Sequence, residues 1–327
     1  MTEQMAREQI IQPVRTGMER FERRLESVLE SQVGIVQLMV RHVLAAKGKG
    51  FRPILALLTA RAIGSDLDRV IDAAVGIELL QTATLIHDDV IDSADTRRGA
   101  ASLNAVWGNQ VSVLMGDFLL AKALQILVGL DSQQVMEAST LATQWTVEGE
   151  MLEIERGNTA LTEGVYLDIV NKKTSSLFSL ACQVGAMLSG GSQEQIERMG
   201  AFGKLLGIAF QITDDVLDFT GDSTICGKPV GNDIKEKTIT LPLIKALENC
   251  SNGEGEAIRD RIESGVESHE DWQEVLSFVH RYDGIEYARA QAHRFAADAS
   301  QHLIVLSSSE ARSSLELATR HAVERQR

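Results

Sequence analysis

Two clusters of aspartates carry the residues best suited to chemistry in this chain. Each cluster has the pattern Asp-Asp-x-x-Asp and follows or lies within an otherwise apolar run. The members are Asp88, Asp89 and Asp92 in the first cluster, and Asp214, Asp215 and Asp218 in the second. In a helix, positions four apart share one face, so the first and last aspartates of a cluster stand one turn apart. This spacing suits one or two divalent cations, and two such clusters imply one site between two helices.

The type of ligand indicates which cation these clusters would bind. Carboxylate oxygens favour a hard cation, and Mg²⁺ in particular keeps some of its waters and pairs readily with phosphates. An EF-hand is excluded, because its loop needs acidic residues at alternate positions and glycine at the sixth. We therefore expect a magnesium site that also accepts a phosphorylated ligand.

Basic residues at two places could hold the anionic part of such a ligand. Lys49 and Arg52 lie in a glycine-containing loop before Pro53, which we expect to be the first residue of a helix. Arg97 and Arg98 follow the first aspartate cluster, and their planar guanidinium groups suit phosphate oxygens. The alternatives are a solvated turn for the loop and a surface ion pair for the two arginines.

Other charged residues allow two interpretations. Glu148-Gly149-Glu150 indicates either carboxylates that support the site or an exposed helix face. Lys173 and Thr174 would open an apolar helix over 177–188, where a positive charge opposes the helix dipole unless an anion lies nearby. A solvated lysine is the alternative.

Composition limits the classes of partner and of compartment. The 327 residues carry a formal net charge of −14, which argues against nucleic acid because binding its backbone needs a basic face. Cys182, Cys226 and Cys250 are widely spaced without a zinc pattern, so we expect reduced thiols in the cytoplasm. The N-terminus lacks the features of a signal peptide, and no uncharged run reaches the roughly 20 residues that span a membrane. We expect no transmembrane segment, although peripheral contact with a membrane is compatible with this pattern.

The sequence predicts an all-α protein, because proline is scarce and no stretch alternates apolar with polar residues for long. One helical domain over residues 1–327 is the simplest organisation. The apolar spacing predicts amphipathic helices up to residue 46 and a buried central helix over 70–86. It predicts a second helix over 111–130 that is apolar on most sides and interrupted at Gly116-Asp117. The polar stretch 220–237 is predicted to be a mobile loop over the site, before a helix restarts at Thr240.

Taken together, the motifs resemble those of the all-trans polyprenyl diphosphate synthases of the octaprenyl diphosphate synthase kind, over nearly the whole chain. The matching motifs are His87-Asp88-Asp89-Val90-Ile91-Asp92, Arg97-Arg98-Gly99, Gly116-Asp117, Lys173-Thr174, Phe210-Gln211-Ile212-Thr213-Asp214-Asp215 and Gly227-Lys228-Pro229-Val230-Gly231. The resemblance implies a single large helical bundle around a deep central cavity, and a homodimer. It implies an enzyme that adds isopentenyl diphosphate units successively to an allylic diphosphate such as farnesyl diphosphate.

The resemblance also implies roles for individual residues. The six clustered aspartates and Lys173 would be catalytic, with Mg²⁺ as the cofactor, three ions per site, held by Asp88, Asp92 and Asp214. The residues implied for isopentenyl diphosphate are Lys49, Arg52, Gln81 and Arg98. Those implied for the allylic diphosphate are Arg97, Lys173, Thr174, Gln211 and Lys228.

Three residues depart from the usual pattern of this family. Gln81 stands where the family usually has histidine, Gly50 where arginine or another large residue is common, and Thr238 where lysine is common. Gln81 keeps a hydrogen-bond donor but loses the charge that histidine can carry. We therefore expect retained activity with weaker binding of isopentenyl diphosphate.

Two alternatives come from other functional classes. A class I terpene cyclase would also ionise a prenyl diphosphate at an aspartate cluster, but it would not need Lys49, Arg52 and Arg98 to hold a second diphosphate. A non-catalytic partner subunit would keep the helices and lose aspartates, whereas both clusters are complete here.

Small side chains before the first cluster bear on product length. Ala83 and Thr84 precede Asp88 by about one turn, and family members with short products typically carry a large aromatic near this position. From Gly76 to Asp88 a helix rises about 18 Å, enough for several isoprene units. We therefore expect hexaprenyl to nonaprenyl products, with a farnesyl or geranylgeranyl diphosphate synthase as the alternative. Close packing of another helix is the other explanation for a small residue at Ala83.

Overall fold

The computed structural model describes residues 3–46, 48, 50–64, 67–156, 162–221, 231, 234, 238–266 and 268–325. Within them the chain is helical almost throughout, which confirms the predicted all-α class. The α-helices are α1 (Glu3–Ile11), α2 (Arg15–Val28), α3 (Gly34–Ala45), α4 (Phe51–Ile63), α5 (Asp68–Ile91), α6 (Leu103–Trp107), α7 (Asn109–Gly129), α8 (Gln133–Arg156), α9 (Glu163–Val170), α10 (Ser176–Leu188), α11 (Gln193–Thr220), α12 (Leu241–Asn249), α13 (Glu254–Ser264), α14 (His269–Arg281), α15 (Gly284–His302) and α16 (Glu310–Glu324).

Short elements connect some of these helices. A 3₁₀ turn over Gln12–Val14 contains Pro13 and joins α1 to α2, and a second one covers Leu303–Val305. A π-helical turn over Asn171–Ser175 joins α9 to α10. The two-residue strands β1 (Thr96–Arg97) and β2 (Ala100–Ala101) pair as an antiparallel hairpin directly after the first aspartate cluster.

The central helix is α5, as the uninterrupted apolar run predicts. Its residues from Val70 to Ile86 are mostly buried, and they pack against α4, α7 and α10. A helix that is apolar on all sides is stable in water only when neighbours cover it on all sides. This burial fixes the position of the aspartates at the end of α5.

Two apolar clusters share the longest helix. The larger cluster surrounds α5 and includes Phe202 and Leu206 in the first half of α11. The smaller cluster lies among α12 to α15 and includes Ile212 and Val216 from the second half of α11. Because α11 belongs to both, the second aspartate cluster lies where these two regions meet.

Two predicted helix boundaries are wrong. Gly116-Asp117 does not interrupt α7, because one interior glycine costs only about 1 kcal/mol and the contact of α7 with α5 outweighs it. Pro53 is the third residue of α4 rather than the first; proline is tolerated there because N–H groups in the first turn have no acceptor within the helix. The residue before this helix, Gly50, is left-handed with φ of 63°, which explains glycine in place of a larger residue.

The apolar composition of α5 and α7 has different structural consequences. Both helices are long and apolar enough to cross a membrane, but 61% of the most apolar stretch of α5 is buried against other helices, as in the core helix of a soluble protein. For α7 the buried share is 33%. The exposed apolar residues of α7 and α8, which we call the α7–α8 face, are Val113, Leu114, Leu124, Val128, Leu141, Trp145, Val147, Met151 and Ile154.

Candidate active site

The first aspartate cluster lies at the C-terminal end of α5. Asp89 is almost fully buried, and its Oδ1 accepts hydrogen bonds from Arg97, from Nε at 2.7 Å and also from Nη2. The hairpin turns Arg97 back towards the helix, and Ser102 and Asn104 stabilise the turn by donating to the carbonyl of Ala94. Arg97 thus neutralises one carboxylate of the cluster while 32% of its side chain stays exposed.

Asp88 faces further negative charge. Its pKa is raised to about 7, chiefly by burial and then by the nearby carboxylate of Glu150, whereas Lys173 and Arg97 act in the opposite direction. Asp92 follows one turn later, and its N–H donates to the carbonyl of Asp88 at 2.8 Å. The ionised form of Asp88 is therefore under-compensated, and an added cation would stabilise it.

Lys173 lies between two carboxylates of α8. Its Nζ is 2.6 Å from Oε2 of Glu150 and 2.6 Å from Oε2 of Glu153. Burial lowers the pKa of Lys173, but the charges of Glu153 and Glu150 outweigh burial and raise the pKa above its ordinary value. Of the two predicted carboxylates, Glu150 therefore belongs to the site, whereas the more exposed Glu148 pairs with Lys172 at 2.9 Å.

The π-helical turn Asn171–Ser175 determines where Lys173 points. The prediction that this segment opens a helix is wrong, because α9, the turn and α10 follow one another without a break. The positive charge of Lys173 is thus balanced by carboxylates of α8 rather than placed against a helix dipole. π-Turns of this kind are frequent at functional sites. The turn also approaches α8 closely, since a Cβ at Gly149 would lie 2.6 Å from the backbone nitrogen of Lys173.

The same turn is hydrogen-bonded to the second aspartate cluster. The hydroxyl of Thr174 donates to Oε1 of Gln211 at 2.9 Å, and Nε2 of Gln211 donates to Oδ1 of Asp215 at 2.9 Å. The hydroxyl of Tyr166 on α9 donates to the other oxygen, Oδ2. Burial raises the pKa of Asp215 to about 7, although the bonds from Tyr166 and Gln211 lower it. Asp215 therefore holds α11 against α9 and the π-helical turn.

The side chain of Asp214 contacts a different part of the protein from that of Asp215. Its Oδ1 is 2.7 Å from Nη2 of Arg325, which follows the end of α16. Burial lowers the pKa of Arg52 at the start of α4, and the charge of Asp214 offsets a small part of that decrease. Asp218, one turn later in α11, accepts a hydrogen bond at its carbonyl from the N–H of Gly231 at 3.0 Å. The second cluster thus lies between the π-helical turn and the start of α4.

A cleft with a volume of about 80 Å³ follows α5 away from Asp89. Its walls include Glu78, Gln81 and Arg98, and Gly48 lies against the guanidinium of Arg98. Oε1 of Gln81 is buried and has no hydrogen-bonding partner among the residues that the structure describes. The structure therefore brings together Gln81 and Arg98, two of the residues predicted to bind isopentenyl diphosphate.

Arg52 is a buried cation whose charge interacts with those of this cleft. Its guanidinium lies 4.7 Å from the ring centroid of Phe178, and within the described part of the chain its Nε lacks a partner. Burial lowers the pKa of Arg52 to about 10 despite the opposing charge of Glu78, and burial likewise raises the pKa of Glu78. A buried N–H without a partner is costly, so an anion beside Arg52 would be stabilised.

Some predicted features fall outside the described residues. These are Lys49, Lys228, Cys226 and most of the predicted loop over 220–237. Thr238, the third departure from the family pattern, is described and half-buried. Cys182 and Cys250 are free thiols, as expected.

The carboxylates that the structure describes form no preassembled metal cage. In the described ranges, no three His, Cys, Asp or Glu side chains are grouped so that they could hold an ion. The donors present nevertheless fit Mg²⁺, because this ion keeps several waters and is usually bound through one or two carboxylates plus substrate phosphates. The under-compensated charge of Asp88 fits such an ion as well.

Four residues of the site carry no recognisable motif: Glu78, Glu153, Tyr166 and Arg325. Glu78 had a signal that could have been used, because glutamate inside a buried apolar run is rarely buried unless it is paired. The other three gave none, because their partners lie on other helices and only packing brings them together.

Comparison with known proteins decides the family. Residues 33–279 match the family model for polyprenyl synthetase. This chain belongs to the polyprenyl synthetase family. The match confirms the resemblance predicted from the aspartate and arginine motifs, and with it the class of prenyltransferase.

Individual relatives extend the similarity over nearly the full length. The chain is 37% identical, over 98% of each chain, to an all-trans-nonaprenyl-diphosphate synthase (geranyl-diphosphate specific) of Rhodobacter capsulatus. It is 36% identical to an octaprenyl diphosphate synthase of Escherichia coli, with 91% of this chain and 93% of that one covered. It is also similar to the crystal structure of a polyprenyl synthase from Caulobacter crescentus complexed with calcium and isoprenyl diphosphate. That structure superposes with a TM-score of 0.93 at 31% identity, over 98% of each chain.

The residues predicted to bear on product length lie on α5. Ala83 is 2% exposed, and Thr84 is half-buried and donates its hydroxyl to the carbonyl of Gln81 at 2.9 Å. Two turns earlier, Leu127 of α7 packs directly over Gly76. A hydrocarbon that followed this face of α5 would therefore pass Ala83 and meet α7 at Gly76.

The contact at Gly149 predicts a loss of stability on substitution. Alanine favours a helix over glycine by about 1 kcal/mol, but overpacking typically costs about 1–3 kcal/mol. Here the added methyl would meet backbone, which cannot rotate away, so Gly149→Ala should lower the free energy of unfolding in a denaturant titration by about 1 kcal/mol. Gly129→Ala is the matched control, because open space surrounds Gly129 in α7. Equal stability of the two variants would contradict the close approach of α8 to the π-helical turn.

Proposed function

We propose that this polyprenyl synthetase is a Mg²⁺-dependent enzyme that condenses isopentenyl diphosphate successively onto an allylic diphosphate such as farnesyl diphosphate. The product would be an all-trans polyprenyl diphosphate of hexaprenyl to nonaprenyl length. One observation carries the proposal: both aspartate clusters interact with residues of the π-helical turn, and the cleft at Gln81 and Arg98 adjoins the first cluster at Asp89.

We assign the metal to the aspartates that the protein leaves under-compensated or exposed. Asp88, Asp92 and Asp214 would hold Mg²⁺, with three ions per site, because their side chains are more exposed than those of Asp89 and Asp215, which are buried. When bound, Mg²⁺ would neutralise the charge that develops on a departing diphosphate. The calcium in the related Caulobacter crescentus structure supports a divalent cation at such a site.

The protein's own groups would hold and orient the allylic diphosphate. Arg97, Lys173, Thr174, Gln211 and Lys228 are the residues proposed for this task. Lys173 is fixed between Glu150 and Glu153, so its charge is in place before the reaction begins and needs no reorganisation. Breakage of the allylic C–O bond leaves its electron pair on the diphosphate and a cation on the hydrocarbon.

The second diphosphate would be bound in the cleft beside α5. Lys49, Arg52, Gln81 and Arg98 are proposed to hold isopentenyl diphosphate so that its double bond attacks the allylic cation. The departing diphosphate then accepts the proton that is lost, and the chain is longer by one isoprene unit. The apolar surroundings of α5 would exclude water, which would otherwise capture the cation.

The cleft also separates this proposal from a class I terpene cyclase. A cyclase ionises one diphosphate and needs no second site, whereas Gln81 and Arg98 line a cleft that runs from Asp89 along α5, in addition to the charged groups around Lys173. A non-catalytic subunit is disfavoured by the ordered partners of both aspartate clusters.

We further propose a homodimer that forms through the α7–α8 face. Nine large apolar side chains are exposed on these two helices, and exposed apolar patches on a soluble protein often mark an interface. We also propose that residues 1–327 act as one domain in the cytoplasm, with peripheral contact to a membrane for release of a long product.

Asp88→Ala tests the metal assignment. Loss of a carboxylate that binds the metal should cost several kcal/mol of barrier, or on the order of 10³-fold or more in kcat/KM. Turnover would be measured with isopentenyl diphosphate, farnesyl diphosphate and Mg²⁺, followed by sizing of the products. Asp95→Ala is the control, because Asp95 is exposed in the loop after α5. Near-normal turnover of the Asp88 variant would disprove the assignment.

Arg52→Ala tests the second diphosphate site. The variant should chiefly raise the KM for isopentenyl diphosphate, because a charge-assisted contact worth roughly 1.5–3 kcal/mol is lost. Steady-state kinetics with each substrate varied in turn would separate the two sites. Arg61→Ala, an exposed position on the same helix, should leave both KM values unchanged. A rise confined to the KM of the allylic substrate would require the two sites to be exchanged.

Ala83→Phe tests the proposed path of the hydrocarbon. A phenyl ring at this buried position should shorten the product while the rate of the first condensation is kept, if Ala83 lines the tunnel. Ala83→Ser is a control of nearly the same size and should leave the product distribution unchanged. An unaltered distribution in a folded, active Ala83→Phe variant would show that the wall lies elsewhere.

Met151→Glu tests the dimer. Met151 is 64% exposed on α8, and a charge there would be buried without a partner in the proposed interface, which should favour monomers in analytical ultracentrifugation. Ile304→Glu is the control, because Ile304 is 72% exposed away from the α7–α8 face. A Met151 variant that sediments like the unmodified protein would place the interface elsewhere.

A further inference from the structure

Arg325 is unusually well held for a residue beyond the last helix. Only 6% of its side chain is exposed. Its guanidinium lies 3.8 Å from the ring centroid of Phe210, and Nη2 donates to the carbonyl of Phe210 at 2.8 Å. The same Nη2 is 2.7 Å from Oδ1 of Asp214, while Nε donates to the carbonyl of Ala322 at 3.3 Å. Arg325 thus binds one turn of α11 through its charge, its N–H groups and its flat face.

The position of this contact matters because Asp214 is the accessible aspartate of its pair. Asp215 is fully committed to Tyr166 and Gln211, whereas 43% of the Asp214 side chain is exposed. Asp214 is therefore the member of the pair that a metal can reach, and one of its oxygens is already occupied by a cation of the protein.

The ring of Phe210, on which Arg325 stacks, is itself packed between two other aromatic rings. Phe210 stacks on Phe51 with ring centroids 5.6 Å apart, and it contacts Phe178 at 5.2 Å. The guanidinium of Arg52 lies over Phe178. One block of three rings therefore carries Arg325 at one edge and Arg52 at another, so Arg325 is placed by packing as well as by charge.

We propose that Arg325 is an internal counter-ion that neutralises Asp214 in the metal-free protein and must leave this carboxylate when Mg²⁺ binds. A metal ion bound to Asp214 would lie within a few ångströms of the guanidinium of Arg325, and the repulsion between two cations at such a distance is strong away from bulk water. Arg325 would thereby lower the affinity of the second aspartate cluster for metal. This inference rests on the proposed function, because it takes Asp214 to be a metal ligand.

Metal binding to Arg325→Gln gives the direct test. Titration calorimetry with Mg²⁺ in the presence of inorganic diphosphate should show about tenfold tighter metal binding than in the unmodified protein, which corresponds to about 1.4 kcal/mol. The midpoint of thermal unfolding in EDTA should fall, and the difference should shrink when Mg²⁺ and inorganic diphosphate are saturating. Arg320→Gln, an exposed position on α16, is the control and should change neither quantity.

Asp214→Asn completes a double-mutant cycle and separates the two hypotheses. If Asp214→Asn leaves Mg²⁺ affinity unchanged, the metal assignment fails and this inference fails with it. If Asp214→Asn weakens binding but Arg325→Gln binds Mg²⁺ no more tightly than the unmodified protein, only this inference is overturned. In the Asp214→Asn background, Arg325→Gln should have no effect on metal affinity.

A structure of the unmodified protein with Mg²⁺ and inorganic diphosphate gives an independent check. The separation of Nη2 of Arg325 from Oδ1 of Asp214 should exceed hydrogen-bonding distance in that complex. A retained contact near the present 2.7 Å would overturn the inference even if the variants failed to fold.

Discussion

Carboxylates at the end of a buried helix must be neutralised, because an isolated charge in an apolar interior costs several kcal/mol. The arrangement around α5 and α11 follows from this requirement. Asp89 is matched by Arg97, Asp214 by Arg325, and Asp215 by two neutral donors. Asp88 is the exception, since Glu150 adds negative charge beside it and burial keeps its pKa near 7. The carboxylate of Asp88 is therefore the group at this site whose negative charge is least compensated by the protein.

The π-helical turn links the surroundings of Asp88 to α11, the helix that carries the second aspartate cluster. Its one-residue bulge lets Lys173 face the carboxylates of α8 while the next residue, Thr174, faces Gln211 on α11. The side chains of adjacent helical residues point about 100° apart. Lys173 and Thr174 can therefore contact α8 and α11 only because both helices pack against this turn. The closeness of α8 at Gly149 provides that packing. Local backbone geometry therefore determines which charges meet at the site.

Sequence reasoning predicted the parts that depend on local pattern. The apolar run before Asp88 specified a buried helix, and the i, i+4 spacing specified a shared face, because both follow from helix geometry alone. It could not decide between Glu148 and Glu150, which differ by 200° around α8, until the position of Lys173 was known. It also misjudged the start of the segment at Lys173, because a π-turn has no compositional signature. The pairing of Arg325 with Asp214 depends on tertiary packing between α16 and α11.

A chain of net charge −14 that is proposed to bind two diphosphates must concentrate its cations locally. Arg52 illustrates how this is achieved: the ring of Phe178 and the surrounding apolar residues remove water from its guanidinium, and its pKa falls to about 10. That value still leaves the side chain charged at neutral pH. Charge in a site with little water interacts more strongly with an incoming anion than the same charge at the surface. The acidic surface therefore does not weaken the site, because the interaction that binds an anion is set by the few groups inside the cleft and by the exclusion of water around them.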